Sequence, residues 1–123
     1  RVKASPSRLS QVFLNIIING MHAMPGGGRL TIRISRRFYR IPDRGGIRAV
    51  LIDFSDTGAG ISPEHIDRIF NPFFTTRGSG TGLGLSISYR IIEEHGGVME
   101  VKSKPDEGTR MRVVLPEMED GDA

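Results

Sequence analysis

The chain has 123 residues, 37% of them hydrophobic and 25% charged, with a formal charge of +3, a balance that suits one soluble globular domain with a single core. It contains no cysteine, which excludes a disulfide framework or a thiolate metal site and fits the cytoplasm. No apolar run approaches the roughly 18–20 residues needed to cross a bilayer, because Asn15, Asn19, Asp53 and Asp56 interrupt the longest candidates.

Ser5-Pro6 offers an N-cap and a first-turn proline. From there Leu9, Val12, Phe13, Ile16, Gly20, Ala23 and Met24 recur at helical spacing until Pro25-Gly26-Gly27-Gly28 stops the run. Leu30, Ile32 and Ile34 alternate with polar residues, predicting a half-buried strand. A turn at Pro42–Gly46 leads to a second alternating strand with Val50, Ile52 and Phe54, so the two form an antiparallel hairpin. The arginines between Arg29 and Arg48 are expected on a solvated sheet face. No aromatic platform or groove-reading helix accompanies them, so no nucleic-acid partner is expected.

Ser62-Pro63-Glu64 repeats the cap, proline and acidic first turn, predicting a short helix to about Phe70. A glycine-rich stretch, Gly78 to Gly84, opens a third helix that ends at His95 before Gly96-Gly97. Two more strands near Val98–Ser103 and Thr109–Leu115 flank a turn at Pro105–Gly108. Helices on one face of a mostly antiparallel sheet make an α+β two-layer sandwich. The acidic residues 117–123 form a flexible tail after a domain spanning 1–116.

Three patterns carry chemistry. Asn15 and Asn19 lie one helical turn apart on one face, amid Leu14, Ile16, Ile17 and Ile18. Amides in apolar surroundings need partners, and an amide oxygen is a hard ligand for Mg²⁺; a pair satisfied by backbone or water fits equally well. Asp56-Thr57-Gly58-Ala59-Gly60 at a strand end can offer a carboxylate to the exocyclic amine of adenine, with glycines that let backbone approach a flat ring, or it can be an ordinary turn. Gly78-Ser79-Gly80-Thr81-Gly82-Leu83-Gly84-Leu85 runs into a helix N-terminus, an anion site by dipole and free N–H groups. A Walker loop would need Gly-Lys-Ser/Thr where Gly84-Leu85 stands, a Rossmann turn would follow a strand directly, and the invariant residues of protein kinases have no counterpart.

In this order, Asn15…Asn19, Asp56-x-Gly58-x-Gly60, Phe70-x-Pro72-Phe73 and Gly80-Thr81-Gly82-Leu83-Gly84-Leu85 resemble the asparagine, first glycine, phenylalanine and second glycine boxes of the sensor histidine kinase catalytic domain. The resemblance extends from about Val2 to Pro116. It implies the Bergerat ATP-binding fold shared with gyrase, the Hsp90 chaperone and the MutL mismatch-repair protein, a mostly antiparallel mixed sheet with helices on one face. The family also places a strand before the first helix, so an N-terminal edge strand is expected upstream.

Carried over by residue, the resemblance implies ATP and Mg²⁺ as ligands. Asn19 is the metal ligand, with Asn15 beside the triphosphate. Asp56 selects adenine, and Gly58, Gly60 and Ile61 shape the purine pocket, with His22, Ala23 and Thr109 around it. Gly80, Thr81, Gly82, Leu83, Gly84 and Leu85 hold phosphates. Residues from about Asn71 to Thr81, including Thr75 and Thr76, form a short lid anchored by Phe70 and Phe73, and Arg77 neutralises the γ-phosphate. Gly20 stands where alanine is common. His22 and Ala23 stand where many members have a lysine and an aromatic residue, so ring stacking from position 23 is lost.

Hydrolytic relatives carry a glutamate at the position of Asn15, whose amide has no useful basicity. The acceptor is then a histidine bringing its own base, supplied by a dimerisation domain, with a response regulator as an indirect partner. None of His22, His65 and His95 begins the acceptor pattern. Two other readings stay open: an ATP-binding regulatory module, and a hydrolytic ATPase or serine kinase of the same fold, which Asn15 disfavours. The domain itself is expected to make no membrane contact, though the full-length protein can be membrane-anchored.

Overall fold

A computed structural model describes residues 5–43, 45–71 and 84–117. The elements run α1 (Pro6–His22), β1 (Leu30–Ile41), β2 (Gly45–Asp56), α2 (Pro63–Ile66), α3 (Gly84–Glu94), β3 (Val98–Ser103) and β4 (Thr109–Pro116). The strands form one sheet in the order β1-β2-β4-β3, and every pairing among the described residues is antiparallel. With the helices packed on it, this is the two-layer Bergerat sandwich that the motifs imply.

Two faces of the sheet are buried by different means. Side chains alternate along each strand, so Ile52, Phe54, Met99, Met111 and Val113 meet Val12 and Ile16 of α1 and Ile91 and Ile92 of α3. Phe13 packs on Phe54 with ring centroids 5.9 Å apart. On the far face no helix among the described residues lies over Ala49, Leu51 and Val114, yet all three are fully buried. Tyr39, Ile47 and Val98 pack around them. Arg112 binds Asp53 through two hydrogen bonds of 2.7 and 3.0 Å and lies over the Tyr39 ring, whose hydroxyl donates to Glu100.

That polar roof shifts its members. The hydrogen bond from Arg112 holds the Asp53 carboxyl below its ordinary value, and the same bond raises Arg112. Burial, with the Glu100 hydrogen bond second, raises Tyr39.

Helix ends differ from the sequence expectation in two places. Ser5 and Ser62 have extended backbone, but neither side chain caps its helix. The Ser5 amide instead donates to His95 Nε2 at 3.0 Å, so the ring proton sits on Nδ1 and is given to the Ile91 carbonyl at 2.8 Å. Second, α2 ends at Ile66 rather than near Phe70. Beyond it the amides of Arg68 and Asn71 bond three residues back, because Ile69 enters the core and Phe70 packs on Tyr89 at 4.9 Å.

The strand expected to be half-buried around Ile32 and Ile34 is also corrected. It forms, and it is longer than the apolar alternation, but both residues are exposed. Among the described residues no helix covers β1, since α1 packs mainly against α3 and touches β1 little. Glu117 continues the ladder by donating its amide to the Arg48 carbonyl at 2.8 Å and pairs with Arg36. The rest of the acidic tail lies outside the described residues.

Candidate functional site

The end of α1, the end of β2 and the β3–β4 hairpin converge on a cavity of about 300 Å³. Ile16, Leu30, Phe54, Ile61 and Met111 give it apolar walls, and Asn19, Asp56 and Thr109 place polar groups in it. A larger, more open hollow of about 610 Å³ shares Asp56 and Thr109 but lacks Asn19 and opens past Lys102, Lys104 and Arg110. The smaller cavity is the one that joins residues from separate motifs.

Backbone bonds fix the loop that follows Asp56. Asp56 Oδ1 accepts the Gly58 amide at 2.8 Å. The Ala59 amide donates to the Ala23 carbonyl, and the Asp106 amide donates to the Ala59 carbonyl at 2.7 Å. The Ile61 amide donates to Ser103 Oγ at 2.7 Å. Ser103 in turn donates to the Gly108 carbonyl, so Thr109 Oγ1 must be the donor in its 2.7 Å contact with Ser103.

Two glycines are required by this packing. A Cβ on Gly58 would stand 2.4 Å from the Ala23 carbonyl oxygen. On Gly60, at φ +76°, it would stand 2.0 Å from that of Lys104. Gly20 is less constrained: a methyl there would meet Leu30 Cδ1 at 3.4 Å and Asp56 Oδ2 at 3.6 Å. That second carboxylate oxygen therefore points across the cavity toward α1.

Asn15 stands away from the cavity wall, on the side of α1 that meets α3. Its amide donates to the Gly84 carbonyl at 3.3 Å and to Ser88 Oγ at 3.2 Å. Ser88, fully buried, also donates to the Gly84 carbonyl at 2.8 Å. These bonds hold the first turn of α3 against α1.

Of the residues predicted for the site, Asn19, His22, Ala23, Asp56, Gly60, Ile61 and Thr109 line the one cavity. Gly58 supports it from behind, and Leu85 turns into the core. Thr75, Thr76, Arg77, Gly80, Thr81, Gly82, Leu83 and Phe73 lie outside the described residues. Sequence reasoning missed Ser88 and Ser103, for serine has no motif. It also missed the apolar wall of Leu30, Phe54 and Met111, which alternation marks only as core.

Among the described residues no group of three or more His, Cys, Asp or Glu side chains could hold a metal ion. A divalent ion here would need ligands from a bound molecule, which suits one amide oxygen plus phosphates.

The model of the histidine kinase-, DNA gyrase B- and HSP90-like ATPase family matches residues 4–119. The chain belongs to that family. Within this ATPase family it is 40% identical over 116 residues to the sensor histidine kinase ZraS of Salmonella typhi, covering 94% of this chain and 23% of ZraS. The chain thus spans about a quarter of that relative's length. Among solved structures, the catalytic domain of histidine kinase ThkA superposes with a TM-score of 0.74 at 33% identity, over 94% of this chain and 70% of that one. Full-length ShkA in complex with AMPPNP gives a TM-score of 0.74 at 30% identity, over 94% and 22%. As an ATPase domain of this family the chain is an ATP-binding domain, similar to those of sensor histidine kinases.

Proposed function

We propose that this domain binds Mg-ATP and donates its γ-phosphoryl group to a histidine on a separate dimerisation domain of a two-component sensor kinase, in the cytoplasm. The observation that carries the reading is the sharing of one cavity by Asn19 and Asp56, with Asn15 bonded to the start of α3.

Adenine enters the apolar walls, and Asp56 accepts a hydrogen bond from its exocyclic amine through Oδ2, while Gly58 holds Oδ1. Asn19 offers an amide oxygen to Mg²⁺, which when bound neutralises phosphate charge. The start of α3 directs its free N–H groups and dipole toward the phosphates. Thr75, Thr76, Gly80 to Leu83 and Arg77 complete the phosphate end, with Arg77 stabilising the charge of the departing γ-phosphoryl group.

Asn15 supplies no base. Its nitrogen is engaged by Gly84 and Ser88, and an amide does not take a proton from water at neutral pH. Nucleotide is therefore positioned and kept from hydrolysis until the acceptor histidine arrives with its own base.

The test is calorimetric titration of the chain with Mg-ATP, followed by addition of the dimerisation helices from the same full-length protein. Binding and a γ-phosphate-labelled histidine are expected. Asp56→Asn should weaken ATP binding about ten- to a hundredfold, the worth of one hydrogen bond to a charged group, and Asn19→Ala should remove the Mg²⁺ dependence. Binding without histidine labelling would assign the domain to a regulatory role. Rapid phosphate release by the chain alone, lost on changing Asn15, would assign it to hydrolysis.

A further inference from the structure

A row of four side chains crosses the helix side of the sheet beside the cavity. Leu30 stands opposite Asp56, Asp56 opposite Thr109, and Thr109 opposite Ser103. Directly opposed residues have Cβ atoms about 5 Å apart, so the Thr109 hydroxyl has a carboxylate on one side and a serine on the other. Leu30, Asp56 and Thr109 line the cavity, while Ser103 stands behind Thr109 and outside its wall.

Two acceptors thus compete for one proton. Bonds to an ionised acceptor are the stronger ones, so a hydroxyl beside a carboxylate would be expected to donate to it. Thr109 donates to Ser103 instead. Ser103 Oγ accepts the Ile61 amide at 2.7 Å and gives its own proton to the Gly108 carbonyl at 2.9 Å, which leaves it one place to accept Thr109 Oγ1 at 2.7 Å. A serine hydroxyl has one donor and two acceptor places, and all three are in use. An amide that can only donate and a carbonyl that can only accept fix this arrangement. The Thr109 oxygen therefore turns its lone pairs, and not its proton, toward Asp56 and the cavity.

We propose that Ser103 is a positioning residue for base selection: by holding the Thr109 proton it keeps the Asp56–Thr109 pair a pure acceptor, which takes a 6-amino purine and rejects a 6-oxo one. The proposal rests on the placement of adenine against Asp56 given above. An exocyclic amine has two hydrogens to give and meets only oxygens that accept. A 6-oxo group brings lone pairs to the same oxygens and leaves them unpaired, which is costly in a closed site. Without Ser103 the Thr109 hydroxyl is released to turn. Turned to the carboxylate, it competes with adenine for Asp56; turned to the base, it offers a 6-oxo group a donor. Either turn blunts the preference.

The experiment titrates the chain with Mg-ATP and with the magnesium salt of inosine triphosphate, whose base carries oxygen in place of the 6-amino group. It reads the ratio of the two dissociation constants. The unaltered chain is expected to favour ATP, and Ser103→Ala should shrink that preference about tenfold, the worth of one hydrogen bond. Ser103→Thr keeps the hydroxyl and should keep the preference. Adding Thr109→Val to Ser103→Ala leaves no hydroxyl to turn and should restore it, an outcome that a merely structural serine would not produce. Should Ser103→Ala misfold, Ser103→Cys fills the same place with a poor acceptor and should shift the ratio in the same direction. A ratio that neither variant changes, or a lost preference that Thr109→Val does not restore, overturns the proposal and leaves the nucleotide reading standing. A chain that binds neither nucleotide overturns both.

Discussion

At one end of the cleft the Asp56–Ile61 loop is held mainly through backbone, by Ala23 and Asp106, with the Ser103 hydroxyl holding a third peptide group. At the other, the first turn of α3 is held to α1 by side chains alone, through Asn15 and Ser88. Backbone bonds survive most substitutions and leave little room for movement. Side-chain bonds of about 1 kcal/mol each can be made and released as a ligand comes and goes. The Asp56–Ile61 end is built as a fixed mould and the α3 end as an adjustable one.

The comparison breaks most severely at Gly60. Gly60→Val forces a β-branched residue to positive φ and into the Lys104 carbonyl, so a loss of about 3 kcal/mol or more is expected in denaturant unfolding. Wild-type stability would mean that the loop yields.

A substitution on the far face should leave both ends alone. Asp53→Asn costs about 2 kcal/mol at neutral pH by weakening the bonds from Arg112. The Asp53 carboxyl is depressed in the folded state. Its contribution is therefore complete above the ordinary carboxylate value of about 4 and fades as pH falls through the lower folded value. Unfolding midpoints measured against pH should show an acid-side slope in the wild type that is reduced in the variant. Equal slopes would remove the ion pair from the account.

Asn15→Ala sharpens the contrast more gently. It should cost about 1 kcal/mol and speed amide exchange in the first turn of α3 while leaving Ala59 and Ile61 unchanged. Faster exchange at both ends would show that they are not independent. The smallest effect is a gain: Gly20→Ala should stabilise α1 by about 0.5–1 kcal/mol, because its methyl meets neighbours at ordinary contact distances. A drop in thermal midpoint would mean that the Asp56 side chain cannot accommodate it.

Much of the fold was legible because local signals agreed. Pro6, the helical spacing to Ile16 and the stop at Pro25 mark α1, and Gly96-Gly97 marks the end of α3. Where tertiary packing overrules a local pattern, the sequence misleads. Ile32 and Ile34 alternate as a buried strand does, yet they lie beyond the reach of α1, and α2 stops early because Ile69 and Phe70 are drawn inward. For the site, the asparagine and Asp-x-Gly-x-Gly motifs lead to one cavity. The serines that brace it, Ser88 and Ser103, act by position, which no pattern of residue types encodes.

The bond from the Ser5 amide to His95 Nε2 lies where α1 begins and α3 ends, and Arg8 pairs with Glu94 beside it. The two helices are thus clasped like the sprung end of a clothes-peg, and further along Asn15, midway in α1, meets Gly84 at the start of α3. Any parting of the pair would be widest at the Gly84 end of α3, the end away from the clasp.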